Sequence, residues 1–518
     1  MTTVKEVVGD QQLWASRFKK GTDPVAKEYS ESVTIDRLMV DHNVWGNEAH
    51  VIMLAYKDII KDSHCKAILT SLQKLKKEFA EKKWDLSLSE EDVQMNVERY
   101  IINDVDIENG GRMHTCRSRN DQVVLDTRIY VREHLIAVVD QLMGFVEELL
   151  ETAAHHTETL MPGYTHTQHA QPMTYAYWLS HYAAVFLRDI KRILAAYDTT
   201  DMNPLGAGAL TGTSFPIDRE LTTRLLGFQC VQEHALDAVG AKDYNLEILT
   251  AFSIFFSTLS RLADEIIYGI TYEFNTMVLD DGFSMGSSMM PQKKNPGVLE
   301  LVRGRTGKMY GILMHMLTTM KGLPSGYNRD YHEEKTTLVE SLKLTFDSIA
   351  VMRGVMRTLV IKPERMKYLV DQNFATATEL ANYLVRKHDI PFRLCHRIVG
   401  FVVGQLVEEG KNFTDRARTM VLLAEKGIAI NDEDYDKVLT PSAVIYEYTS
   451  QGGVAPKEVA RMVTKMQKEG AEFGAQVSQI KHRLQSAQKE TAQIVDAVIN
   501  RNQDVKAAVD AVLTATTR

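Results

Sequence analysis

The sequence contains little proline. Proline accounts for 12 of its 518 residues, about half of the ~5% share that is usual in globular proteins. Because proline interrupts helices and marks loops, its scarcity favours long helices. The aromatic share is also low, at 8%, while the chain holds 23 methionines. We therefore expect a largely helical protein.

Cysteine is scarce as well, and the four cysteines form no CxxC pair. A chain of this size without a disulfide framework is typical of a reducing compartment, so we expect a cytoplasmic protein. An excess of positive charge is also missing, since the net charge is −8. This balance excludes the basic footprint of a nucleic-acid-binding protein, and we expect no nucleic-acid partner.

No long hydrophobic run is present. The strongest uncharged apolar run, residues 248–260, spans about 13 residues, whereas a helix that crosses a membrane needs ~20. The N-terminal residues contain no apolar signal core. We therefore expect no association with a membrane.

From residue 123 onwards, apolar residues recur at the i, i+3, i+4, i+7 spacing of an amphipathic helix. Five segments of about 25–30 residues show this pattern, and loops that contain Gly or Pro separate them. No strand-like alternation of comparable strength is present. The sequence thus predicts an all-α fold built on a five-helix bundle. The predicted helices begin near residues 123, 172, 244, 296 and 333.

A chain of 518 residues is too long for one ordinary core, so we divide it into several parts. We expect an N-terminal helical domain at 1–122, the bundle at 123–362, a C-terminal helical domain at 363–470 and a helical tail at 471–518. The tail has mostly apolar residues at spacings of four and three. This pattern fits either a coiled-coil or docking helix, or a surface helix on its own subunit.

The segment from Gly286 to Pro296 reads GSSMMPQKKNP. Hydroxyls, backbone N–H groups and lysines just before a predicted helix favour a bound anion. The same positive field would help Ser287 to lose its proton. The alternative interpretation is a flexible polar loop.

The segment from His114 to Gln122 reads HTCRSRNDQ. Arginine binds carboxylates through two parallel hydrogen bonds, and serine and asparagine can orient the same group. The segment therefore indicates a carboxylate clamp. The alternative is the start of a helix with solvated arginines.

Two further segments are rich in functional groups. MPGYTHTQHAQP, from Met161 to Pro172, forms a predicted loop in which His166 or His169 could act as a general acid or base. No cysteine or carboxylate spacing completes a zinc site there, so we expect no metal. GYNRDYHEEK, from Gly326 to Lys335, is typical of a solvated loop when taken alone.

These four segments, in this order, resemble the fumarase/aspartase superfamily, and within it the argininosuccinate lyase family. Three shorter stretches agree with that family: LWASRF at residue 13, NPLGAGALTGT at 203 and ATELANYLVRK at 377. The resemblance runs from about residue 13 to about residue 465. It implies three mostly helical domains and a homotetramer in which four bundles form a twenty-helix core. It also implies active sites that are shared between subunits, and no cofactor.

The resemblance also implies a reaction, the β-elimination of an amine from an N-substituted aspartate with release of fumarate. Ser287 would be the base, and Lys293 and Asn295 would stabilise the aci-carboxylate. Thr165 and His166 would lie at the reacting centre, and Glu300 would orient His166. Ser118, Arg119 and Asn120 would hold the carboxylates. The other positions implied to bind substrate, mainly its amine half, are Ser32, Asp92, Gln168, Tyr327, His332 and Lys335.

The sequence departs from the family pattern at several positions. His332 stands where glutamine is usual, His169 replaces an arginine, Thr167 a leucine, Cys116 a glycine and Gln94 a histidine. The elimination machinery is intact, but the pocket for the amine is altered. Argininosuccinate is the first candidate substrate, and another N-(1,2-dicarboxyethyl) amine such as ethylenediamine-disuccinate is the second. A non-enzymatic, crystallin-like structural protein is a third alternative, which the filled catalytic positions disfavour.

Overall fold

The computed structural model of the protein describes residues 21–515 and is mainly helical over that range. The expectation of an all-α fold is confirmed, with short strands added at a few loops. The motif LWASRF at residues 13–18 lies outside the described residues.

The N-terminal part of the described chain is built from short and medium helices. Its helices are α1 Pro24–Ser30, α2 Val33–Asp36, α3 Val40–Tyr56, α4 Asp62–Ala80, α5 Val93–Asp104 and α6 Ile107–Gly110. Short 3-10 helices follow α2 at Arg37–Met39 and α6 at Gly111–His114. Helix α3 is buried along almost its whole length, because neighbouring helices pack on several of its sides.

The prediction of five long helices is confirmed. They are α7 Arg119–Ala154, α8 Tyr175–Thr200, α11 Asp243–Ile270, α12 Gly297–Met320 and α13 His332–Thr358. Helix α7 packs against α8 and α13, while α11 packs against α8 and α12. Their apolar faces form one continuous core. Two short helices, α9 Arg219–Leu225 and α10 Ala235–Gly240, lie between α8 and α11 in the chain.

Among the described residues, α11 is the one helix that is long and apolar enough to cross a membrane by length and composition. Most of its apolar window, 61%, is buried inside the protein. The apolar side chains of α11 therefore belong to the core of the bundle.

The segment 161–172, predicted as a loop, lies in an antiparallel hairpin of β1 Leu160–Thr165 and β2 Gln168–Thr174. His166 and Thr167 form its two-residue turn and both have positive φ, 54° and 59°. Such turns match the twist of the two strands, and this tertiary arrangement outweighs the weak local preference of non-glycine residues against positive φ. The loop prediction was wrong in this detail.

The remaining strands are two residues long and pair loops with one another. β3 Met202–Asn203 pairs with β4 Cys230–Val231, β5 Met277–Val278 with β8 Val360–Ile361, and β6 Met285–Gly286 with β7 Lys294–Asn295. The last pair closes the base of the loop that carries Ser287.

The C-terminal part has its own apolar cluster, formed by α15 Ala377–His388, α16 Phe392–Glu408, α17 Arg416–Ala424 and α18 Asp432–Leu439. Helix α14 Pro363–Asp371 precedes this cluster and packs against β1, and α19 Pro441–Val444 follows α18. Helix α20, Pro456–Ile499, follows and passes through Gly470, so the boundary proposed at that residue falls inside a helix. Helix α21 covers Val505–Ala515.

Helix α20 lies on its own chain, which is the second of the two interpretations of the tail. It packs against α7 and α8 and then reaches α3, α4 and α9, while α21 packs against α3. Residues spaced at threes and fours are buried, as the pattern predicts. They include Val477, Ile480, Leu484, Ala487, Thr491, Ile494 and Val498.

The bundle has two distinct ends. Arg128, near the start of α7, donates a hydrogen bond to the carbonyl of Thr200 at the end of α8 and stacks 4.2 Å from the ring of Tyr244 at the start of α11. Tyr244 in turn donates to Glu334 at the start of α13. At the other end, the hairpin residue Tyr164 lies 5.9 Å from Phe274, just beyond α11.

Candidate active site

Buried charges gather where α2, α5, α7 and α13 begin or end. The Lys335 ammonium lies 2.5 Å from Asp36 Oδ1 and 3.4 Å from Ser32 Oγ, and Ser32 donates to Asp36 Oδ2 at 2.8 Å. We call this group the charged cluster; its members are Ser32, Asp36, Asp92, Arg119, Tyr327, His332 and Lys335. Burial alone would lower the pKa of Lys335, but the Asp36 carboxylate holds it above its ordinary value.

The predicted carboxylate clamp begins α7. The Ser118 side chain caps the helix by accepting from Asn120 N at 3.3 Å, and the Asn120 amide donates to the carbonyl of Ala209 at 3.2 Å. Arg119 donates to Glu91 Oε2 at 3.1 Å and also to Asp92. The guanidinium is therefore paired with protein carboxylates here, and its role in holding substrate stays a prediction.

His332 and Tyr327 line the same region. The pKa of His332 is lowered from 6.5 to about 4, because burial and the cations of Lys335 and Arg329 outweigh the carboxylates of Asp36 and Asp92. His332 is thus a neutral imidazole at physiological pH. Burial raises the pKa of Tyr327, which stays a neutral phenol.

At the other end of the bundle, the hairpin turn presents Thr165, His166 and Gln168 to solvent. In β2, His169 Nε2 lies 3.0 Å from the hydroxyl of Tyr164, and its Nδ1 contacts Asn373. His169 is therefore held by its own chain, whereas His166 projects at the tip.

Ser287 lies in the loop from Ser284 to Asn295, which we call the serine loop. Its Oγ accepts hydrogen bonds from the backbone N–H groups of Met290 at 2.9 Å and Met289 at 3.3 Å. Donors aimed at a hydroxyl oxygen stabilise its deprotonated form. Lys293 and Asn295 belong to the same loop, and the exposed Glu300 lies in the first turn of α12.

One chain does not bring all of these residues together. Helix α7 has 36 residues, so it separates the clamp from the hairpin side of the bundle by ~54 Å at 1.5 Å per residue. Among residues 21–515, no hydrogen bond or ion pair links the charged cluster to the hairpin turn or the serine loop. In the part of one chain that the structure describes, no hydrogen bond or ion pair joins His166 to Glu300 either.

Sequence reasoning missed three residues that organise the site. Asp36 forms an ion pair with Lys335. Glu334 accepts a hydrogen bond from Tyr244 and forms an ion pair with Lys242 at 2.8 Å. Asp121 accepts hydrogen bonds from the backbone N–H groups of Ser118, Gly206 and Gly208 at 2.9–3.1 Å. Asp121 and Glu334 lie inside motifs that were recognised, so their positions were a usable signal. Asp36 carried none, because its partner is 299 residues away.

Two of the departures from the family pattern have a structural counterpart. Cys116 has a φ of 69°, a left-handed conformation that glycine adopts without strain. The Gln94 amide donates to Asp126 Oδ2 at 2.6 Å inside the protein. Cys116 therefore carries a side chain on a backbone shape suited to glycine, directly before the clamp.

A bundle of five long helices, with a serine loop at one end and a charged cluster at the other, defines a carbon–nitrogen lyase of the fumarase/aspartase superfamily. The family described as "Lyase" matches residues 16–311, and "Argininosuccinate lyase C-terminal" matches residues 374–446. The chain belongs to the argininosuccinate lyase family.

The chain is similar to curated members of that family over most of its length. It is 39% identical to the argininosuccinate lyase of Limosilactobacillus reuteri over 459 residues, which is 88% of this chain and 98% of that enzyme. It is 40% identical to the enzyme of Moorella thermoacetica over 457 residues, 88% of this chain and 97% of that one.

Among solved structures, EDDS lyase in complex with formate superposes with a TM-score of 0.80 at 26% identity. That likeness covers 94% of this chain and 95% of the other.

Proposed function

We propose that this lyase cleaves argininosuccinate to arginine and fumarate. Identity of about 40% to enzymes of that name agrees with this choice. The observation that carries the proposal is the charged cluster. Arginine as a leaving group has an α-carboxylate, an α-ammonium and a guanidinium, so its pocket needs both signs of charge. The cluster holds both signs, as Lys335 paired with Asp36 and as Asp92 paired with Arg119, so a substrate carboxylate would join Lys335 and a substrate cation would join Asp92.

In the proposed reaction, Ser287 removes a proton from the β-carbon of the succinyl group. The electron pair of that C–H bond moves into the adjacent carboxylate, which becomes the aci-carboxylate. The pair then returns to form the C=C bond while the Cα–N bond breaks, and the electrons of that bond leave on the nitrogen, which takes a proton from a general acid. Lys293 and Asn295 stabilise the aci-carboxylate that forms between these steps. Ser118, Arg119 and Asn120 hold the carboxylates, and Thr165, Gln168 and His166 complete the reacting centre.

We propose that each active site combines groups from several subunits of a homotetramer. The ~54 Å length of α7 supports this, because one chain keeps the clamp and the serine loop at opposite ends of the bundle. Glu300 would then orient His166 across a subunit boundary.

A face of α12 also supports the tetramer. Tyr310, Met314 and Leu317 are exposed on it, by 43–62%. Gly304, Gly307 and Gly311 lie beside them on the helix, and an added Cβ at each would meet no atom within 4 Å. Glycine weakens a helix interior by ~1 kcal/mol relative to alanine, so three of them on an apolar face fit close packing against another helix.

A second candidate substrate is an ethylenediamine-disuccinate-like amine. The altered pocket at His332 and the structural likeness to EDDS lyase, with a TM-score of 0.80, favour it. We also propose a cytoplasmic location, since the cysteines of the described chain are free.

The substrate is tested with a panel of N-substituted aspartates, followed by the absorbance of fumarate. Argininosuccinate should give the highest kcat/KM, with ethylenediamine-disuccinate and N-alkyl aspartates well below it. A higher kcat/KM for ethylenediamine-disuccinate would replace the first proposal by the second, and no fumarate from any member would contradict both.

A further inference from the structure

A cavity of about 960 Å³ lies between helices α3, α4, α7 and α20. We call it the tail cavity, because α20 closes one side of it. None of its lining residues belongs to the charged cluster, the hairpin turn or the serine loop. Its volume falls within the range typical of small-molecule sites, ~300–1,000 Å³.

One wall of the tail cavity holds an uncompensated carboxylate. Glu48 is 5% exposed, and its Oε1 accepts from the Gln73 amide. Among residues 21–515, no hydrogen bond reaches its Oε2 and no cation lies within ion-pair distance. Burial raises the pKa of Glu48 to about 7, and the more distant Lys76 offsets this only in part. An ionised carboxylate that is largely removed from water and has no ion-pair partner is costly, so a ligand cation in the cavity would stabilise it.

A second acid group faces the same space. Glu133 Oε2 lies 3.1 Å from His42 Nε2, and Glu133 Oε1 accepts from the Gln488 amide of α20 at 3.2 Å. His42 Nδ1 is buried and has no hydrogen-bond partner among the described residues. The cavity thus has polar groups on both the bundle side and the tail side.

The rest of the lining fits a ligand with an apolar stem. Trp45, which is 7% exposed, donates its indole N–H to the carbonyl of Leu225 at 3.1 Å, so its ring is fixed in place. Val495 and Ile499 of α20 add aliphatic surface. The indole ring also attracts cations through its π electrons.

With Asp496 neutralised by Arg501, the three acids Asp41, Glu48 and Glu133 face two lysines across the cavity, so the lining as a whole carries one excess negative charge. Asp496 forms an ion pair with Arg501 at 2.6 Å. Asp41, Lys76 and Lys489 have no ion-pair partner among the described residues. The titratable and charged groups that line the cavity are Asp41, His42, Glu48, Lys76, Glu133, Lys489 and Asp496.

We propose that the tail cavity binds a small organic cation, an alkylammonium or guanidinium group on a short apolar stem, with its charge against Glu48 and Glu133. The binding site is distinct from the catalytic residues and does not depend on which amine the lyase releases. Because α20 forms one wall, the bound cation would also join the tail to the N-terminal helices.

The test is calorimetric titration of the full-length protein with agmatine and with putrescine at pH 8, with L-glutamate as the anionic control. Saturable binding of at least one cation and none of glutamate is expected. Affinity should fall at pH 6, where Glu48 is largely protonated. Glu48→Gln should weaken binding roughly tenfold or more, since a charge-assisted hydrogen bond is lost, while kcat and KM for fumarate release stay unchanged.

Two further variants sharpen the result. Asp496→Asn, at the acid already paired with Arg501, should leave cation affinity nearly unchanged. Ala492→Arg, at an exposed position of the lining, should abolish binding by placing its own guanidinium in the cavity. Equal affinity in Glu48→Gln and the parent, competitive inhibition of fumarate release by the cations, or no binding of either cation would each overturn the proposal.

Discussion

The ammonium of Lys335 and the carboxylate of Asp36 form a buried ion pair, with 2.5 Å between Nζ and Oδ1. The two side chains are 3% and 0% exposed. The pair joins the N-terminal helices to the start of α13 and holds Lys335 where the leaving amine is expected. Because neither charge reaches water, each depends on the other.

Replacing Asp36 by asparagine should destabilise the protein and reduce turnover. The variant leaves the Lys335 ammonium buried without a counter-ion, which costs ~3–5 kcal/mol in comparable pairs. Urea denaturation measures the change. Asp347→Asn removes the partner of Lys343 in an exposed pair and should change stability little. Equal effects of the two substitutions would contradict a special role for the buried pair.

Replacing Ser287 by alanine should remove turnover, because general base catalysis alone accounts for ~10²–10⁴ in rate. The exposed neighbour Ser288 has no hydrogen bond in the described structure, so Ser288→Ala should keep most of the activity. Fumarate absorbance gives the rate, and size-exclusion chromatography with light scattering checks that assembly is unchanged. Fumarate release by Ser287→Ala at the parent rate would refute the assignment of the base.

Coexpression of two inactive variants should restore part of the activity. Asn120→Ala damages the clamp, and Ser287→Ala damages the serine loop at the other end of the bundle. If active sites are shared between subunits, some sites in a mixed tetramer combine an intact clamp from one subunit with an intact serine loop from another. The control is the mixture of separately purified homomers assayed before subunits exchange. An inactive heteromer would show that each site comes from one chain.

Replacing His332 by glutamine should leave the rate on argininosuccinate unchanged or lower. A clear rise in that rate would favour another native amine.

The same variant, His332→Gln, should alter the dependence of stability on pH. The pKa of His332 is about 4 in the folded protein against an ordinary 6.5, because of burial and its cationic neighbours, so the unfolded state binds more protons between these values. Stability therefore falls as pH drops from about 6.5 towards 4, and His332→Gln should lose this contribution.

Replacing Met314 by glutamate should break the oligomer. Met314 is 62% exposed in one chain, on the glycine-bearing face of α12, and a charge there would be buried in the proposed tetramer core. Light scattering should show smaller species, and fumarate release should fall with them. Lys468→Glu, at an exposed position of α20, should leave size and activity unchanged. A tetrameric, active Met314→Glu would place the interface elsewhere.

Much of the fold could be predicted because its signals are local. The scarcity of proline and the apolar spacing after residue 123 describe helices whose hydrogen bonds lie within one segment, and all five long helices were found. The hairpin at 160–174 was missed because strand pairing depends on a partner segment and a turn, not on the spacing within one run. The course of α20 was left open because its stripe of apolar residues fits several partners equally well.

The residue types at the candidate site were in the motifs, and the sequence by itself determined that the protein is a helical lyase of the fumarase/aspartase superfamily. Tertiary structure decided where those motifs lie. It placed the clamp and the serine loop at opposite ends of the bundle, paired Lys335 with Asp36 across 299 positions, and left His332 neutral among charges. These features depend on the distance between segments, on the burial of side chains and on the electrostatic field of neighbouring charges. No single stretch of sequence contains that information.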